Sequence, residues 1–154
     1  MLRRTRLRET VFALEFRGTA GPSGSSGTTR HARTTAPSQI LKTVMRAAAV
    51  DASVEHVAGD VAVLDSIVER FPDGSFIESG TIAYGAFGTL SFETVGRGTV
   101  GPSPLDGWVH GAVMWKVTAG TGHLTGARGL ITSNFVASAQ GGVVDNQIAR
   151  LYLP

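Results

Sequence analysis

Apolar and polar residues alternate with a period of two through most of the chain beyond residue 60, the spacing of half-buried strands rather than helices. In residues 89–95, Leu90 and Phe92 share one face while Ser91 and Glu93 share the other. Residues 60–70 are dense in β-branched side chains, with Val61, Val63 and Ile67 opposed to Ala62, Leu64 and Val68, so both faces are expected to be partly covered. Phe71-Pro72-Asp73-Gly74 then turns the chain, because proline presets φ and glycine takes the left-handed position. A strand over 75–84 returns antiparallel. Gly96-Arg97-Gly98 predicts a bulge within a bent strand continuing to Val100, and the stretch 101–107, rich in Gly and Pro, predicts a loop at a barrel mouth. Strands follow over 108–117, 130–138 and 143–153, the last two joined by a hairpin turn at Gln140-Gly141-Gly142.

Six strands are clear, and residues 10–16 and 50–58 can supply one or two more. Residues 40–49 are expected to form a brief helix at the edge of the fold. Short turns leave no room for crossover helices, so the pattern predicts an all-β chain: a small antiparallel meander barrel of about six to eight strands. A closed barrel of this size holds side chains or one small ligand.

Between two apolar runs lies the glycine-dense stretch 118–129, with Gly120, Gly122, Gly126 and Gly129. Thr118-Ala119-Gly120-Thr121-Gly122 followed by Gly126 has nearly the spacing of a dinucleotide-binding loop. Such a loop must open a helix whose N-terminus holds the pyrophosphate. Here Gly126 and Gly129 interrupt any helix and the next run reads as strand, so a structural turn is expected. No Gly-Lys-Ser/Thr is present for a phosphate loop.

The run Gly120-Thr121-Gly122-His123-Leu124-Thr125-Gly126-Ala127-Arg128-Gly129 resembles the G-T-G-x-(aromatic or aliphatic)-x-G-A-x-G turn of the allene oxide cyclase and dirigent barrels, and of small bacterial proteins sharing that barrel. The resemblance covers residues 61–154 and implies a calycin-like barrel. Its members include cyclases and coupling-guidance proteins without chemistry of their own. No catalytic residue of the plant enzymes matches a position here, so none is carried over.

Composition adds three constraints. The chain of 154 residues suffices for one domain with a real core. It has no cysteine, which excludes disulfides, zinc thiolates and thiol nucleophiles. Its net charge of +2 is unevenly spread: residues 1–46 hold nine basic and two acidic side chains, and 47–154 hold five basic and ten acidic. Arg3, Arg4, Arg6, Arg8, Arg17, Arg30 and Arg33 accompany the linker-like Gly21-Pro22-Ser23-Gly24-Ser25-Ser26-Gly27. Residues 1–44 are therefore expected to be a basic, mostly disordered extension and 45–154 the barrel domain. The extension lacks the aromatic interleaving that stacks bases, so nucleic acid is not an expected partner. No secretory pattern and no membrane span is found, and a cytoplasmic location is expected.

Four scattered histidines, His31, His56, His110 and His123, have no ligand spacing; neither a metal nor a cofactor is expected. No nucleophile elbow occurs. What remains is acid/base chemistry in an apolar lumen, where burial raises a carboxyl pKa. Glu93, Glu78 and Asp65 lie within strand-like runs that can turn them inward, an alternation equally consistent with facing solvent; Glu93 and Glu78 are the candidate catalytic groups. Tyr84, Phe92, Trp108, Trp115 and Asn134 are candidate ligand contacts. Several strands are apolar on both faces: Val113, Trp115 and Val117 oppose Ala112 and Met114, and Ile148 and Tyr152 oppose Leu151 and Leu153. This predicts a homo-oligomer. The expected function is binding of a small hydrophobic molecule in the lumen, as a cyclase or isomerase that confines a reactive conformer. The alternative is a non-enzymatic ligand carrier or a structural homo-oligomeric barrel with a filled core.

Overall fold

A computed structural model describes residues 6–37 and 39–154. Eleven strands follow in order: β1 (Arg8–Pro22), β2 (Thr29–Ala36), β3 (Gln39–Met45), β4 (Val50–His56), β5 (Ala62–Arg70), β6 (Ser75–Tyr84), β7 (Thr89–Thr94), β8 (Gly98–Pro102), β9 (Trp108–Gly120), β10 (Arg128–Ser138) and β11 (Gly142–Leu153). All but β3 and β4 form one antiparallel sheet, and the pairing of β9 with β10 closes it into a ring. β7 and β8 lie in line between β6 and β9, interrupted at Val95–Arg97, so the ring is an eight-stranded barrel. The expected meander is present, and the interruption falls at the predicted bulge.

The structure departs from the expected division at residue 44. The segment expected to be a disordered extension supplies two barrel strands: β1 pairs with β11 from Arg8↔Leu153 to Thr19↔Gly142, and β2 joins β1 to β5. The Gly/Ser run is the turn between β1 and β2. Inward side chains of β2 are Ala32, Thr34 and Ala36, all buried but small or polar, which hides the alternation from a hydropathy reading. Residues 39–56, where a brief helix and a further barrel strand were expected, form instead a β3–β4 hairpin outside the ring.

Packing divides the barrel into a solid half and an open half. Chain turns at 85–88 and 121–127 close one end. There the glycine-dense stretch makes one turn of 310 helix, Gly122–Leu124, that drives the fully buried Leu124 into the end of the barrel. Above it Phe16, Ile82, Leu90, Phe92, Trp115, Ile131 and Leu151 fill the interior, with the Phe92 and Trp115 rings stacked at 4.3 Å between centroids. Toward the other end the inward residues shrink or turn polar, and two glycines make room for rings against the wall. A Cβ at Gly98 would stand 2.3 Å from Phe76 Cζ, and one at Gly111 2.5 Å from Phe135 Cζ. The two phenyl rings meet edge to face at 5.8 Å, leaving the lumen above them open.

Candidate functional site

The open half encloses a cavity of about 740 Å3 that opens at the end formed by the 71–74, 101–107 and 139–141 turns. Its wall is apolar, from Leu64, Val68, Phe76, Val100, Phe135 and Val143, and two carboxyl groups, Glu78 and Asp145, reach into it. A cavity of this size suits a small organic molecule.

Glu78 lies on β6 in the same alternation as Phe76 and Ile82, so its side chain points inward. Opposite it, β8 has not yet resumed pairing: β6 bonds β7 only from Ser79 and β8 only to Phe76. Thr94 bridges this gap. Its Oγ1 accepts from the Glu78 backbone N–H at 2.7 Å and donates to the Glu78 carbonyl at 2.8 Å. Ser66 Oγ donates to Glu78 Oε1 at 2.5 Å. Some surface of Glu78 remains accessible because it borders the cavity, yet protein surrounds the carboxyl. Burial pushes its pKa up to about 7, a shift reinforced by the Asp145 carboxyl and opposed by the Ser66 hydrogen bond.

Asp145 on β11 stands four places from β6 in the ring of eight, facing Glu78 across the lumen. Its neighbours on the inner face are Phe16 of β1 and Phe135 of β10. Ser133 Oγ donates to Oδ1 and Gln147 Nε2 to Oδ2, each at 2.7 Å. Burial raises the Asp145 pKa, against these two hydrogen bonds. Thr34 Oγ1 and Gln147 Oε1 are buried without a hydrogen-bond partner among the described residues, and Thr34 lines the cavity. Chemically the site is a hydrophobic cup with a proton-exchanging carboxyl near neutrality, a second carboxyl facing it, and spare hydrogen-bonding atoms.

The residues singled out from sequence separate into three places. Glu78 and Trp108 line the cavity. Phe92, Trp115 and Tyr84 point inward but belong to the packed half. Tyr84 stacks on Phe12 at 4.5 Å, and burial pushes its phenol pKa up. Glu93 and Asn134 point outward: Glu93 pairs with Lys116 at 2.9 Å and Asn134 is exposed. Asp65 also lies outside, bonded to His31 at 2.9 Å and Arg33 at 3.0 Å. Asp145, Ser66, Thr94 and Thr34 were not singled out. A readable signal for Asp145 existed: it shares the parity of Gln147, Ala149, Leu151 and Leu153, the inward face of β11. Among the described residues no three His, Asp or Glu side chains converge as a metal site would require, and no helix is long and apolar enough to cross a membrane.

The sequence matches no protein-family model and no curated protein. Among solved structures the fold is similar to that of the pterocarpan synthase dirigent protein GePTS1. The two chains are 16% identical with a TM-score of 0.54, over 99% of this chain and 94% of that one. At that identity the likeness is one of fold, a dirigent-like β-barrel, consistent with the barrel that the glycine-rich turn implied.

Proposed function

We propose that this chain binds a small hydrophobic molecule in the open half of its barrel and acts on it as a cyclase or isomerase. The observation that carries the reading is the placement of Glu78: a carboxyl with a pKa of about 7 inside an apolar cavity, buttressed by Ser66 and Thr94. An acid of that strength can give a proton to a ligand oxygen or carbon and take one back at neutral pH. The rigid wall of Phe76, Phe135 and Val100 would hold the molecule folded while Glu78 transfers the proton, and Asp145, facing it, would stabilise positive charge developing on the ligand. A fold neighbour that is named a synthase supports chemistry in such a barrel.

The test is native mass spectrometry of the protein purified from its host, followed by incubation of any retained compound with wild type and Glu78→Gln. The reading expects one apolar molecule per chain, converted by wild type to a product of equal mass and bound unchanged by the variant. A chain that retains and binds nothing would overturn it. Retention with no conversion by either protein would leave the carrier alternative.

The second part of the proposal is self-association, in a cytoplasmic setting. Val11, Ile148, Leu130 and Met114 occupy neighbouring outer positions on β1, β11, β10 and β9, between 37% and 53% exposed. Arg8–Pro22, as β1, forms part of this face rather than a cover over it. A second copy of the chain is the occupant that the apolar face suits.

A further inference from the structure

Resting on the lumen as the ligand site, we propose that its ligand is an amphipathic organic acid, whose anionic group is held at the mouth by Arg30 and Arg70. Both arginines line the cavity. Arg30 continues the inward alternation of Ala32 and Thr34 on β2, and Arg70 that of Leu64, Ser66 and Val68 on β5. Arg30 pairs with Val68, so Arg70 is its diagonal neighbour on the inner face, at a Cα spacing of roughly 7–8 Å. Two cations placed so close repel one another unless an anion joins them.

No such anion is supplied by the chain. Among the described residues neither guanidinium has a hydrogen bond or ion pair, and each acidic group nearby is engaged elsewhere. Both oxygens of Glu69 accept from Thr28 and Thr29, at 2.6 Å each. Asp73 is bound by Ser75 and faces Arg97 at 3.8 Å. Glu78 is bonded to Ser66 deeper in the lumen, and Asp106 of the mouth loop does not line the cavity.

Polarity along the lumen then fixes the ligand's orientation. The inner end presents no cation to an anion, the middle is apolar, and the mouth carries two unpaired guanidiniums, whose planar forks match carboxylate, sulfate or phosphate oxygens. A molecule with one acidic group and an apolar body therefore enters body first, presenting its far end to Glu78 and Asp145. An uncharged molecule of the same shape gains nothing from the mouth.

Two fluorescent probes with one aromatic body separate these cases: 8-anilinonaphthalene-1-sulfonate and its uncharged counterpart N-phenyl-1-naphthylamine, titrated into the full chain. The sulfonate should bind about tenfold tighter or better, and only its affinity should fall between about 0.05 and about 0.5 M salt. Arg30→Gln and Arg70→Gln should each weaken the sulfonate several-fold, with the double variant near the affinity of the neutral probe. Binding of the neutral probe should be unchanged in all three, which also reports that the lumen is intact. Arg30→Lys should restore part of the loss. Equal affinity for the two probes, or parallel loss of both in the arginine variants, would overturn the inference and leave the lumen reading standing. Failure of the wild-type chain to bind either probe would overturn both.

Discussion

Glu78 is the residue whose surroundings give the most direct physical consequence. Its folded pKa of about 7 lies above its ordinary value of 4.5. Between those pH values the folded chain keeps a proton that the unfolded chain has released, so stability falls as pH rises across that window and levels off above it. The burial-driven shift corresponds to about 3 kcal/mol at most. Glu78→Gln keeps the shape without the charge, and urea unfolding at pH 5 and pH 8 should show the wild type losing stability where the variant loses much less. Asp145 has a raised pKa for the same reason and contributes in the same direction. Trp115 acts through packing. It is 1% exposed against Phe92, and Trp115→Ala should cost about 3–5 kcal/mol in the same assay, while a probe in the open half keeps its affinity. The sequence reading left Glu78 and Glu93 as equal candidates, although parity already placed Glu93 opposite Leu90 and Phe92. What sequence alone could not supply was which inward residues fall in the packed half and which in the open half, because that depends on ring sizes and on Gly98 and Gly111 across the barrel.

At the scale of elements, β6 to β11 follow the turns that the sequence announces with Pro-Asp-Gly, Gly-Arg-Gly and Gln-Gly-Gly. Residues 10–16 of β1 were readable as a strand, but the rest of β1 and all of β2 were harder to see because Arg and Thr alternate there with Ala and Gly, a weak period-two signal beside a linker-like turn. β3 and β4 show the opposite problem. The pattern suggests a brief helix for residues 40–49 and a barrel strand for 50–58, yet Leu41, Met45, Val50 and Val54 are 42–78% exposed on a hairpin outside the ring, bridged by ion pairs from Lys42 to Glu55 and Arg46 to Asp51. A two-stranded hairpin adds little stability by itself. Replacing residues 39–56 with a short Gly-Ser connection should therefore shift the unfolding free energy of the barrel by less than about 1 kcal/mol, measured by urea titration below the concentration at which the chain associates. A large loss would mean that the hairpin braces the ring.

For the whole molecule, the closed ring itself has no free sheet edge, the open edges belonging to the β3–β4 hairpin, and the proposed association uses the side-chain faces of the ring. The outer face of β1, β11, β10 and β9 is the one that the proposal assigns to a second copy. Sedimentation equilibrium at micromolar concentration should give a multiple of 16.1 kDa, and Ile148→Glu should return the species to a single chain without loss of the barrel's circular dichroism. Within the ring, the division into a packed end and a cup with acid groups is what makes a ligand-directed reading more than a likeness of fold. Carbon-13 NMR of the Glu78 carboxyl, titrated with and without N-phenyl-1-naphthylamine, tests that division most directly. The account predicts a midpoint near pH 7 that rises further when the probe displaces water from the lumen. A midpoint near 4.5, unmoved by the probe, would contradict it.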